Sequence, residues 1–372
     1  MSIARLKPDF SRSFMVIFGT ALRISLAAYA LGLRPAGAET LKPDEDVILF
    51  PALAKRGAGG WKFEVHGIVY EPGQHRLMTG ALRRFVGIDE GDLTDDEKRI
   101  FTERCRYFLV DNERGKKFAV SIGGEEFRLG ASEANGHFRG PAFLKTNTLP
   151  LEAANGVMTL HASVDARSKR SFPLELHLVE DTGWSVISDI DDTIKISEVG
   201  DKDALLRNTF CRPFKSVPGM SEVYRGWATS RNARFHYVTA SPWQLYLPLS
   251  EFTRASGFPA GTFQMEQFRA KDPSVFSLFA SPERYKPGAI EPLFRQFPKR
   301  RFVLVGDSGE KDPEIYGALA RKFPNQVLRI YIRDVTAENA NAARYRRAFE
   351  GVKREVWSIF KEPKEIEGGL AD

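Results

Sequence analysis

The sequence predicts an α/β protein: a parallel sheet with helices on both faces, preceded by a small β-rich, sandwich-like domain. Three observations carry this expectation. From residue 184 onward, short apolar runs alternate with helical stretches, the pattern of strands joined by crossover helices. Those runs are apolar on both faces, as strands covered from both sides must be. Between residues 107 and 180 the segments are short and rich in β-branched and aromatic residues, with turn signals between them, as in a small antiparallel sandwich or barrel. A length of 372 residues suits two domains. The expected organisation is a leader at 1–38, a β-rich domain with two helices at 39–182, an α/β domain at 183–362 and a tail at 363–372.

Taken in order, strands are expected at 47–53 and 61–70, then helices at 75–85 and 94–105. The second opens with Thr94 and early acids, a capping signal. Short strands follow at 118–122, 126–129, 137–144, 157–164 and 172–178, with turns at Asp111-Asn112, Gly123-Gly124 and Asn155-Gly156. Beyond Asp181-Thr182-Gly183, strands are expected at 184–188, 235–238, 302–305 and 327–332. Helices are expected at 219–229, 244–256 (despite Pro248), 287–297 and 313–323, with a long charged helix at 337–361. The stretch 193–235 has room for a loop and one helix, and 242–286 is similar. Neither is long enough for a separate folded cap, so the site should be open.

The formal net charge is +6, but the first 38 residues carry five basic residues against Asp9. The remainder is close to balanced, which argues against a nucleic-acid partner, since that affinity rests on phosphate neutralisation. The leader has a basic start, an apolar run at 24–33 and the small-residue string Ala36-Gly37-Ala38, the three parts of a cleaved export signal. Export to a periplasmic or extracellular compartment is the expectation, with a cytoplasmic or peripheral-membrane chain as the alternative. Two cysteines, Cys105 and Cys211, cannot make a zinc site alone, and no histidine has ligand spacing beside them.

Three predicted strands end in polar groups at their carboxyl ends. The first runs through Val186-Ile187-Ser188 into Asp189-Ile190-Asp191-Asp192-Thr193; the second reaches Thr239 and Ser241; the third reaches Gly306-Asp307-Ser308-Gly309, with Asp312 following. Ligands of open α/β sheets sit at such strand ends. Acids at the end of a buried strand carry a desolvation cost, which a divalent cation commonly offsets. Alone, each piece has a plain structural reading. Asp and Thr favour turns and caps, Asp312 before Pro313 suits a helix start, and His236 in an apolar strand suits a core residue. A calcium loop fails for want of glycine at Ile194 and glutamate at Gly200. A hydrolase elbow fails at Glu310.

In combination, Ser188-Asp189-Ile190-Asp191-Asp192-Thr193-Ile194-Lys195 resembles the first motif of the haloacid-dehalogenase-like phosphatases. The strings Tyr237-Val238-Thr239-Ala240-Ser241-Pro242-Trp243 and Gly306-Asp307-Ser308-Gly309-Glu310-Lys311-Asp312-Pro313-Glu314-Ile315-Tyr316 narrow it. Together they resemble the catalytic domain of the actin-patch-associated phosphatidate phosphatases, relatives of the lipins, over about residues 183–335. A looser likeness touches Gly136-His137-Phe138-Arg139-Gly140.

The resemblance implies a magnesium-dependent phosphomonoester hydrolase. Asp189 would be the nucleophile that becomes an aspartyl phosphate, and Asp191 the acid and base. Asp189, the Asp191 carbonyl and Asp307 would hold the ion, with Asp312 supporting them. Thr239 would bind a phosphate oxygen, with Ser241 as competitor for that role. Lys286 would stabilise the transferring group, with Lys271 as competitor. The implied substrate is phosphatidate, which brings a phospholipid partner and peripheral membrane contact. Segments 246–249 and 276–279 can touch such an interface or simply pack in the core. Two alternatives remain: a phosphatase for a soluble or protein-linked phosphate, and a binding module without turnover.

Overall fold

The computed structural model describes residues 41–73, 76–146, 156–164, 170–267 and 282–370. The expected leader, Asn155, Lys271 and the run 276–279 lie outside the described residues.

The N-terminal half is built on one long strand. Strands β1 (Asp46–Leu49), β2 (Ala52–Gly57) and β3 (Gly60–Glu71) are followed by helices α1 (Arg76–Phe85) and α2 (Asp95–Cys105). The expected strand at 47–53 is thus two strands, broken where Pro51, which lacks an N–H, interrupts the ladder. Thr94 caps α2 in a full capping box: its hydroxyl accepts the Glu97 N–H at 3.3 Å, and the Glu97 carboxylate accepts the Thr94 N–H at 3.0 Å.

Next come β4 (Asp111–Asn112), β5 (Lys117–Ile122), β6 (Glu125–Ala131), β7 (His137–Lys145), β8 (Val157–Ala162) and β9 (Phe172–Val179). Asp111-Asn112, expected as a turn, instead pairs with the end of β3. Gly123 and Gly124 both take positive φ and close the β5–β6 hairpin, as expected of a primed turn. Seven of these strands form one sheet, in which β3 pairs with β1, β2, β4 and β7. The β2–β9 pairing is parallel, so the sheet is mixed rather than wholly antiparallel.

The C-terminal half is the expected parallel sheet. Its strands are β10 (Trp184–Asp189), β11 (Arg234–Pro242), β12 (Gly261–Glu266), β13 (Arg301–Asp307), β14 (Val327–Arg333) and β15 (Trp357–Phe360). The order is β12-β11-β10-β13-β14-β15, with every pair parallel. All six residues of β10 are buried, which fits a central strand covered on both faces.

The helices are α3 (Lys202–Phe210), α4 (Met220–Arg231), α5 (Tyr246–Ala255), α6 (Pro282–Gln296), α7 (Asp312–Lys322) and α8 (Ala343–Ala348). Between β10 and β11 there are two helices where one was expected: Asp201 caps α3 through the N–H groups of Asp203 and Ala204. Strand β12 was not anticipated.

The expected long helix at 337–361 is incorrect. Only α8 forms there; Gly351 takes φ +76 and ends any continuation, and the β-branched and aromatic run from Trp357 adds a strand beside β14. The stretch after Phe360 also packs onto the domain. Trp227 Nε1 donates to the Glu367 carbonyl at 2.9 Å, Tyr331 donates to that of Gly369 at 2.9 Å, and Ile366 and Leu370 are buried.

One apolar core spans both halves: Phe50, Ile68 and Phe101 belong to the same cluster as Val186, Trp243 and Val305. At that junction His66 and His137 share a hydrogen bond of 2.9 Å, beside Phe50 and Trp243. Trp243 comes two residues after Ser241, so the N-terminal sheet packs just past the end of the strand that carries the candidate hydroxyls.

Candidate active site

The carboxyl ends of β10, β11 and β13 meet at one rim. Asp189 is the last residue of β10, Thr239 and Ser241 lie in the last part of β11, and Asp307 ends β13. Lys286 arrives from α6 and Asp312 from the first turn of α7. Parallel register places these ends side by side, since Asp189 pairs with Val238 and Ser188 with Val305. Two close approaches need glycine. A Cβ on Gly306 would lie 2.2 Å from Asp312 Oδ2, and one on Gly309 would lie 2.6 Å from a Val199 methyl and 2.9 Å from Asp307 Oδ1.

Asp189, Asp307 and Asp312 bring carboxylate oxygens within 4.8 Å of one another, and all three are buried. Lys286, fully buried, reaches Asp189 Oδ1 at 2.9 Å, Glu310 Oε2 at 2.9 Å and Asp312 Oδ1 at 2.5 Å. Asp312 Oδ2 accepts the Asp307 N–H at 3.2 Å, and Asp307 Oδ1 accepts the N–H of Gly309 at 2.6 Å and of Glu310 at 3.1 Å. One lysine therefore serves a cluster of four carboxylates.

Among the described residues, both Asp189 oxygens and Asp307 Oδ2 are buried without a hydrogen-bond donor. Asp189 Oδ1 has an ion-pair contact with Lys286. Burial pushes Asp189 well above the usual carboxylate range; Lys286 opposes this, while Asp312, Glu310 and Asp307 add to it. Burial likewise raises Asp307, with Asp312 and Glu310 adding to it. Buried, donor-free oxygens on clustered acids are what a hard dication would satisfy. The residues present thus fit a divalent ion of magnesium type.

Asp191 behaves differently. Its Oδ1 pairs with Lys195 Nζ at 2.7 Å and accepts the Ser197 hydroxyl at 2.7 Å. Its Oδ2 accepts the Thr239 hydroxyl at 3.0 Å and that of Ser241 at 3.5 Å. Burial alone would raise this acid, but Lys195 and the hydroxyls of Ser197 and Thr239 outweigh it and hold it below the usual range. Its carboxylate is not among those grouped with Asp189 and Asp307; the third carboxylate there is Asp312, which was expected only to support the others. What Asp191 has left for an ion is its main-chain carbonyl, the contribution that the resemblance gave it.

The next residue, Asp192, takes φ +51, and its carboxylate accepts the N–H groups of Ser197, Glu198 and Val199 at 2.6–2.9 Å. That fold-back brings Ser197 over Asp191.

Of the residues expected from sequence, Asp189, Lys286, Asp307 and Asp312 come together, and Thr239 and Ser241 gather on Asp191. Lys286 reaches Asp189, while its competitor Lys271 lies outside the described residues. Sequence reasoning missed Lys195, Ser197 and Glu310. All three stand inside or beside the motif strings, but only the turn at Asp192 and the approach of α6 reveal what they touch.

Residues 184–334 match the family described as phosphatidate phosphatase APP1, catalytic domain. Phosphatidate phosphatase APP1 of Saccharomyces cerevisiae is 38% identical over 154 residues, covering 41% of this chain and 26% of its own length. An uncharacterized protein of Schizosaccharomyces pombe is 30% identical over 198 residues, covering 52% of this chain and 31% of its own. The chain thus spans about a third or less of the length of these relatives. The matched segment is similar to that catalytic domain, and it holds the parallel sheet and the rim residues described above.

Proposed function

We propose that the chain is a magnesium-dependent phosphomonoester hydrolase that works through an aspartyl phosphate on Asp189, with phosphatidate as its substrate. The observation that carries this reading is the donor-free Asp189 carboxylate, buried beside Lys286 and the Asp307–Asp312 pair at the rim of the sheet. A carboxylate that already had hydrogen-bond donors would be a poorer nucleophile; this one faces only charge.

Asp189, Asp307 and the Asp191 carbonyl would hold the ion, with Asp312 steadying Asp307 and Lys286. When bound, magnesium supplies positive charge that lets a phosphate dianion approach the acids. The chain does the rest. Asp189 attacks phosphorus, and Lys286, held by three carboxylates, stabilises charge on the transferring group. Thr239 hydrogen-bonds a phosphate oxygen, and the Ser241 hydroxyl is next to it. Asp191 protonates the departing alcohol, then takes a proton from the attacking water.

The substrate rests on the family match. The S. cerevisiae relative is named for phosphatidate, and a site without a folded cap suits an ester held at a membrane surface. Among the described residues no helix is long and apolar enough to cross a membrane, so contact would be peripheral. The leader 1–38 supports export, and the mass of the mature N-terminus tests it; an intact N-terminus would end that proposal. Phosphate release should be measured from phosphatidate in mixed micelles and from soluble esters, with and without magnesium. Magnesium-dependent release from phosphatidate is expected. Release from soluble esters alone would move the substrate, and no release from any would sink the enzyme reading.

A further inference from the structure

From the packing around Asp191, we propose that Lys195 and Ser197 are positioning residues that give the two oxygens of Asp191 different tasks. This rests on the phosphatase reading. Oδ1 is held by Lys195 at 2.7 Å and Ser197 at 2.7 Å, both from the fold-back that Asp192 anchors. Oδ2 is held only by hydroxyls of β11, from Thr239 at 3.0 Å and Ser241 at 3.5 Å.

A hydroxyl has one proton to donate. The Thr239 hydroxyl already accepts the Ser241 N–H at 3.0 Å and gives its proton to Oδ2. When a phosphate oxygen takes that proton, Oδ2 loses its nearest donor. Lys195 and Ser197 do not face this competition, because they lie on the other side of the carboxylate. Phosphate binding thus frees Oδ2 while Oδ1 stays fixed. Oδ2 is then the oxygen that carries the proton to the leaving group.

Lys195 is itself well held. Its side chain is 2% exposed, its ammonium also donates to the Ser197 hydroxyl, and it lies 5.0 Å from the centre of the Phe214 ring. Arg104 stacks on the same ring at 3.7 Å, and it reaches across from α2 to donate to the Thr209 carbonyl at 2.7 Å. The acid's support therefore runs from the active-site rim out to the N-terminal half.

In the first step the Asp189–phosphorus bond forms, the bond from phosphorus to the alcohol oxygen breaks, and a proton that the freed Oδ2 took from solvent, or from the water of the previous turnover, moves to that oxygen. In the second, water attacks phosphorus, its proton goes to Asp191, and Asp189 is released with inorganic phosphate. Only the first step depends on how much help the leaving group needs.

The test compares Lys195→Met with wild type on two esters. One is 4-nitrophenyl phosphate, whose leaving group departs as an anion. The other is an alkyl ester, dioleoyl phosphatidate in mixed micelles or glycerol 3-phosphate. General acid catalysis contributes on the order of 10²-fold or more. The variant should lose about 100-fold in kcat/KM on the alkyl ester and about 5-fold or less on the nitrophenyl ester. Ser197→Ala should show the same selectivity at about 10-fold, and it decides the matter if Lys195→Met does not give a folded protein by circular dichroism. Equal losses on both esters would overturn the assignment and leave the phosphatase reading intact. A wild type inactive on every ester would overturn that reading instead.

Discussion

Among the described residues, three acids bring their oxygens within 4.8 Å in two places: Glu45, Glu71 and Glu113 in the N-terminal half, and Asp189, Asp307 and Asp312 at the rim of the parallel sheet. They differ in what surrounds them. In the first, Lys116 reaches Glu45 at 2.5 Å, Lys42 reaches Glu45 at 3.3 Å and Glu71 at 3.1 Å, and the Lys42 N–H donates to Glu45 at 2.8 Å. Burial pushes Glu45 up, but these partners outweigh it and its carboxyl sits below the usual range. At the rim one lysine faces four acids, and burial leaves Asp189 and Asp307 raised. The first cluster has two lysines for three acids and the rim has one for four; that balance separates a structural ion network from a candidate metal centre.

The largest expected effect tests the rim's chemistry. Asp189→Asn should lose at least about 10⁴-fold in turnover, as removal of a covalent nucleophile does. A variant that retained turnover would put the attack on another group. The next contrast is in stability. Glu45→Gln leaves Lys116 buried with a weaker partner and should cost about 3 kcal/mol in denaturant unfolding. Asp307→Asn removes a buried carboxyl crowded by Asp312 and Glu310 and keeps an oxygen for the Gly309 and Glu310 N–H groups, so without metal it should be neutral or stabilising. If both variants destabilised alike, the distinction between the clusters would collapse.

A smaller effect sits at the junction of the two halves. Burial lowers His137 to about 4 and holds His66 well below its ordinary value, with Arg139 adding in both cases. Between an unfolded pKa of about 6.5 and that value, the unfolded chain binds a proton that the folded His137 does not. His137 therefore makes stability fall as pH drops from about 6.5 towards 4, by at most about 1.4 kcal/mol per unit. Thermal melts across that range should show the fall, and His137→Gln should flatten it. An unchanged slope in the variant would assign the acid sensitivity elsewhere.

Much of the architecture was legible because β10, β11, β13 and β14 each hold a run of mostly apolar residues, and three of them stop on acids or hydroxyls that turn chemistry alone would not place there. The acid pair Asp189 and Asp191 reads equally in sequence, yet among the described residues one has only the ion-pair contact with Lys286 and the other has four donors. Nothing in the spacing distinguishes them, because the difference arises from the left-handed turn at Asp192. The run 337–361 carried a helical charge pattern, but Gly351 and the edge pairing of Trp357–Phe360 with β14 outweigh it. Strand β12 and the second insertion helix were missed because the segments around them were read only for length. The sequence marks 363–372 only as a tail, yet the Glu367 and Gly369 carbonyls accept hydrogen bonds from Trp227 and Tyr331, residues far away in the chain.

The most direct test of the central claim is calorimetric titration of magnesium into wild type, Asp307→Asn and Glu45→Gln, with no substrate present. Wild type and Glu45→Gln should each bind about one ion per chain, and Asp307→Asn should bind none in the same concentration range. Undiminished binding in Asp307→Asn, or its loss in Glu45→Gln, would place the ion away from the strand ends and contradict the account.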